Sequence, residues 1–161
     1  MKKIRLLLTV SIVIVSVLMM GSSVSANPKG AIQCAIPMSV DFHDGSPYPY
    51  WKGDVLGCEL EGTIRFDVDP SIPSTYPGNT YHFYELFTIC PDSGGYIAGT
   101  NAGMVIFSNW KFLANGVVTD ASPAWEHFIG SRFHENGTID PPGLIIPGYA
   151  LDTTMIITPG Q

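Results

Sequence analysis

The chain has 161 residues with a formal net charge of −6, and 45% of it is hydrophobic against 14% charged. Beyond Ala26 the only basic residues are Lys29, Lys52, Arg65, Lys111 and Arg132, facing all 14 acidic ones, so that part carries −9 (5 minus 14). This balance argues against nucleic acid and anionic membrane surfaces as partners, because binding to phosphate rests on clustered Lys and Arg that displace counterions.

Residues 1–26 read as a cleavable secretory signal. Lys2, Lys3 and Arg5 precede an apolar run from Leu6 to Met20, and small residues close the segment at Val24-Ser25-Ala26. That run is 15 residues long, short of the roughly 20 that a membrane-spanning helix needs. No later segment is long and apolar enough to span, so the expected destination is the medium, a periplasm or a cell surface, by a prokaryotic type of export signal. Three cysteines follow, Cys34, Cys58 and Cys90. In an oxidising compartment two of the three can pair, and the spacing leaves all three pairings open.

Residues 27–52 are rich in Pro and Tyr and end Ser46-Pro47-Tyr48-Pro49-Tyr50-Trp51. Proline forbids a helix here, which predicts an extended arm with a first strand within 31–42. Residues 53–161 are expected to form the domain proper. From Cys58 to Asp69 the chain alternates: Cys58, Leu60, Ile64, Phe66 and Val68 on one face, Glu59, Glu61, Thr63, Arg65 and Asp67 on the other. A period of two marks a half-buried strand. A Pro-rich loop follows to Gly78. Thr80 to Cys90 is the next strand, and Asp92-Ser93-Gly94-Gly95 a tight turn.

Tyr96 to Asn109 reads as a third strand, with Gly99 and Gly103 as marks of a bulge or bend. Ala114-Asn115-Gly116 predicts a hairpin turn between strands at 110–113 and 117–119. Trp125 to Glu135 fits a strand better than a helix, with Asn136-Gly137 as another turn. The last strand is expected at 149–157. Six or seven strands with turn signals between them predict an all-β fold, an antiparallel up-and-down β-barrel, with a β-sandwich as the alternative.

The runs His82-Phe83-Tyr84-Glu85-Leu86-Phe87-Thr88-Ile89, Gly99-Thr100-Asn101-Ala102-Gly103, Ala114 to Ala121 and Trp125-Glu126-His127-Phe128-Ile129-Gly130 resemble secreted allene oxide cyclase-like and dirigent-like proteins of the calycin-type barrels. The resemblance covers residues 53–137 and implies an eight-stranded antiparallel barrel with a mostly apolar cavity. It carries over no catalytic residue.

Tyr81, Phe83, Glu85, Phe87 and Ile89 share a strand face on which Glu85 is the lone charge. If that face turns inward, burial raises the pKa of the carboxyl, which suits a general acid or a group that orients a ligand. Tyr84, Tyr96 and Trp125 are candidate pocket-lining aromatics. His43, His82, His127 and His134 show no metal-ligand spacing, and neither HExxH nor a G-x-S-x-G elbow occurs; no metal or cofactor is expected. The expected function is a non-catalytic, exported barrel that binds a small apolar ligand or a surface partner. The alternatives are a barrel that acts on a reactive lipid or phenolic intermediate, and a structural envelope or adhesion module with a filled interior.

Overall fold

In a computed structural model, residues 30–42, 49–69, 71–139 and 150–160 are described. The expected secretory signal, His43 and Tyr149 lie outside them. Among the described residues no helix is long and apolar enough to cross a membrane.

Nine strands account for most of the described chain: β1 (Ile32–Ala35), β2 (Met38–Phe42), β3 (Pro49–Val55), β4 (Gly62–Val68), β5 (Thr80–Pro91), β6 (Ile97–Ile106), β7 (Lys111–Ala121), β8 (Arg132–Ile139) and β9 (Ala150–Thr158). From β2 to β9 each strand pairs antiparallel with the next. β9 then pairs on its other side with β1 and β2. Its partners run in one register, from Ile32↔Ile157 to Met38↔Leu151, so β1 and β2 are a single stave interrupted at Ile36-Pro37. Pro37 has no N–H to give the ladder, while the Ile36 N–H still reaches the Thr153 carbonyl at 2.8 Å. The ladder returns on itself, and the fold is an all-β barrel of eight staves. Closure leaves no long unpaired edge among the described residues.

Alternation decides what fills it. On β5, Phe83, Glu85, Phe87 and Ile89 are buried and Tyr84, Leu86, Thr88 and Cys90 are exposed. Phe66, Phe87 and Phe133 meet inside, the last two stacked at 4.3 Å between ring centroids. The inner face of β6 makes room for the Phe87 and Phe83 rings by having no side chain at Gly99 and Gly103. A Cβ at Gly103 would stand 2.6 Å from both the Phe83 ring and the Ala114 methyl, and Gly99 sits at a register shift against β7, the expected bulge.

One end of the barrel is closed by Leu60 and Phe128, both buried. Phe128 ends a short 3-10 helix, Pro123–Phe128, where a strand had been expected. Ser122-Pro123 explains the difference, since proline's fixed φ is pre-organised for the first helical position. The strand expected from Cys58 begins only at Gly62, because residues 56–61 turn to bring Cys58 to Cys34 in a disulfide; Cys90 is an exposed free thiol.

Neither Asn-Gly pair makes a turn. Asn115 and Gly116 lie within β7, paired to Ala102 and Asn101 on one side and to His134 and Phe133 on the other. Asn136 and Gly137 lie within β8 between β7 and β9. The reversal expected at Ala114 falls instead at residues 107–110, where Trp110 takes φ +54°. Two flanking ladders outweigh a local turn preference. The segment expected as an arm supplies β1, β2 and the start of β3.

Candidate binding site

Among the described residues the barrel interior holds two carboxyl groups. Glu85 on β5 and Glu135 on β8 are 5% and 2% exposed. Asn101 on β6 stands directly opposite Glu85 in the ladder, and its Nδ2 donates to Glu135 Oε2 at 3.0 Å. That reach passes across β7, whose inward residues at this level are Ala114 and Gly116, small enough to leave the line clear. Gly116 is required there, since a Cβ would collide with the Thr100 carbonyl oxygen. From β3, the Trp51 indole N–H donates to Glu85. Thr153 on β9 is buried two ladder positions from the Glu135↔Met155 pair.

Burial raises the Glu85 pKa from its ordinary 4.5 to about 8; the Asp67 charge adds to this and the Trp51 hydrogen bond opposes it. Burial likewise pushes Glu135 well above the usual carboxylate range, reinforced by repulsion from Glu85 and opposed by the Asn101 hydrogen bond. A charge in such surroundings is costly unless compensated. At neutral pH the pair is therefore largely protonated.

Two further polar atoms here lack any partner: Asn101 Oδ1 and Thr153 Oγ1. Each such atom costs roughly 1–3 kcal/mol relative to a satisfied one. An aromatic track leads toward the cluster from the rim opposite Phe128: exposed Tyr76 packs on Tyr81 at 4.9 Å, Tyr81 on Phe83 at 5.9 Å, and Glu85 is the next inward residue of β5.

The aromatics singled out beside Glu85 lie elsewhere. Tyr84 projects from the outer surface. Tyr96, also exposed, donates its hydroxyl to Asp120 Oδ2 at 2.9 Å. Trp125 is half-buried in the 3-10 helix beside Phe128, its indole N–H bonded to the Gly94 carbonyl at 2.9 Å. Of the four candidates, only Glu85 belongs to the interior cluster. Asn101 and Glu135 had a legible signal: each shares alternation with buried neighbours, Asn101 with Ile97 and Val105, Glu135 with Phe133.

A groove on the outer face of β2, β3 and β4 is lined by Tyr50, Lys52 and Arg65 among others. Its cations are already engaged, Lys52 with Asp41 at 3.0 Å and Arg65 with Asp67 at 2.7 Å, the guanidinium resting 4.4 Å from the Tyr50 ring centre. Among the described residues no three His, Cys, Asp or Glu side chains gather as metal ligands. No family model, curated protein or solved structure matches this chain.

Proposed function

We propose that this protein is an exported binding protein that holds one small, largely apolar molecule inside its barrel by a polar group, without converting it. The observation that carries this reading is the Glu85–Asn101–Glu135 cluster, buried in an apolar interior with Asn101 Oδ1 and Thr153 Oγ1 unsatisfied. A purely structural barrel gains nothing from two desolvated carboxyl groups, which hydrophobic residues of similar volume would replace at no loss of stability. A few convergent polar groups in an apolar enclosure with perturbed pKa values are the ordinary make-up of a ligand site. The Lys-led apolar start of the sequence and the Cys34–Cys58 disulfide support export.

Native mass spectrometry of protein collected from its producing cells tests this. One non-covalent small-molecule adduct is expected, and its loss in Glu85→Gln with the β-sheet circular dichroism intact. A bare mass, with no uptake from a panel of apolar compounds, would leave the structural-module reading in its place.

A second reading, a barrel enzyme acting on a reactive lipid or phenolic intermediate, draws on the same cluster. Two coupled carboxyl groups held protonated at neutral pH can deliver a proton to a bound molecule. It requires that the retained compound be recovered chemically altered by the wild type and unaltered by Glu85→Gln.

A further inference from the structure

We infer that the outer face of β5, β6, β7 and β8 docks a second copy of this chain, in a two-fold dimer that sets Lys111 of each protomer against Asp120 of the other.

The distribution of charge carries it. Within these four strands the acidic residues are Glu85 and Glu135, both turned inward, and Asp120; the basic ones are Lys111 and Arg132. In a chain that carries −9 beyond Ala26 (5 minus 14), contact between two copies through an acidic part of the surface sets like charges together, and this face avoids that cost. The same face is apolar at its centre. Tyr84 and Leu86 on β5 and Leu113 and Val117 on β7 are 39%, 48%, 37% and 37% exposed, and between them β6 turns out only the small residues Thr100 and Ala102. A cationic partner would be steered to the acidic remainder of the surface, and an anionic one would find two separated cations here. A face without net acid suits another like itself, as an isologous contact requires.

The area is sufficient. Four strands of 8 to 12 residues, about 4.8 Å apart with about 3.4 Å per residue, cover roughly 600 Å². Two copies then bury about 1,200 Å², where the range of specific interfaces begins.

The ends of β7 choose the arrangement. Lys111 opens the strand and Asp120 stands near its close, both exposed, and Asp120 faces outward because it pairs with Ala98, between the inward Ile97 and Gly99. The two are about 30 Å apart along the strand. A two-fold axis lying in the face and crossing β7 at Asn115 runs the two copies of β7 antiparallel, so each Lys111 comes over the other protomer's Asp120. An axis along the strand would put Lys111 beside Lys111. The remaining charge, Arg132, lies level with Val117 and comes over the level of Leu113, where β8 carries the neutral Asn136. Asp120 gives Oδ2 to the Tyr96 hydroxyl, and its other oxygen is the one set toward the ammonium.

Sedimentation equilibrium of the exported protein between about 1 and 100 μM tests this. A reversible dimer with its midpoint inside that range is expected for an interface of this size. Leu86→Lys and Val117→Lys each add a cation at the centre of the face and should weaken association at least about ten-fold, with circular dichroism and melting temperature unchanged; should one fail to fold, the other carries the comparison. Lys111→Asp and Asp120→Lys should each weaken the dimer, and the two combined in one chain should restore it. At about 30 Å apart within the chain, only contact between copies can produce that rescue. A monomer at every concentration overturns the inference and leaves the face to a different protein. A dimer untouched by both lysine substitutions uses another surface, and one lost in Cys90→Ser is disulfide-linked; either result overturns it. Weakening by Leu86→Lys without rescue by the charge exchange overturns the two-fold arrangement.

Discussion

Replacing Glu85 by Gln should remove much of the pH dependence of stability. The folded-state pKa is about 8 against an ordinary 4.5. Between those values the unfolded chain has released the proton that the folded chain retains, so the wild type loses stability as pH rises. At pH 7 the linkage relation puts that loss at about 3 kcal/mol relative to acid, for Glu85 alone. Glutamine is close in shape, carries no ionisable group and can still accept the Trp51 N–H. The gap in unfolding free energy between variant and wild type should therefore shift by about 3 kcal/mol in the variant's favour between pH 4 and pH 7. Urea denaturation followed by circular dichroism and tryptophan fluorescence measures it directly, Trp51 reporting from beside the substituted residue. Glu135 contributes a decline of the same sign, so the double variant Glu85→Gln/Glu135→Gln should have the flattest profile. Parallel pH profiles for wild type and Glu85→Gln would refute the claim that this carboxyl is buried and neutral.

Reduction of the Cys34–Cys58 disulfide, or its replacement by a pair of alanines, should cost about 3.5 kcal/mol in urea, from the loop entropy of its 24-residue separation. Ellman's reagent should find one reactive thiol per native chain, lost in Cys90→Ser with no change in melting temperature, since Cys90 is free and exposed. Gly103→Val should destabilise by about 1–3 kcal/mol through overpacking against Phe83 and Ala114, a loss that denaturant titration would detect. Trp125→Phe should cost about 1 kcal/mol for the lost bond to the Gly94 carbonyl, and hydrogen exchange should quicken around the 3-10 helix.

Much of this architecture is legible in the residue pattern, wherever one face of a strand is buried and the other is wet. β5 shows it best: the expected 80–90 is observed as Thr80–Pro91, and the face carrying Phe83, Glu85, Phe87 and Ile89 points inward as alternation requires. What misleads are signals whose meaning depends on neighbours remote in sequence. Asn115-Gly116 is a turn former in isolation, yet with β6 on one side and β8 on the other it stays extended. Tyr84, adjacent to Glu85, is exposed for the same reason that Glu85 is buried. Glu135 alternates with Phe133, but its partner is 34 positions away at Asn101, a proximity that only the closed barrel creates. Trp125 lies in a 3-10 helix that Ser122-Pro123 starts, so the strand alternation of 125–135 holds only from Arg132 onward.

The split stave carries a consequence for the order of assembly. β1 and β2 find their neighbour on one side only in β9, so the pair Ile32↔Ile157 joins residues 125 positions apart. Loop-closure entropy makes such contacts late and slow. The sequential hairpins from β2 to β8 can form as the chain becomes available, and Cys34 can meet Cys58 early, but the ring has no last link until β9 arrives. Premature closure is thus denied by topology, and a partly available chain stays an open sheet.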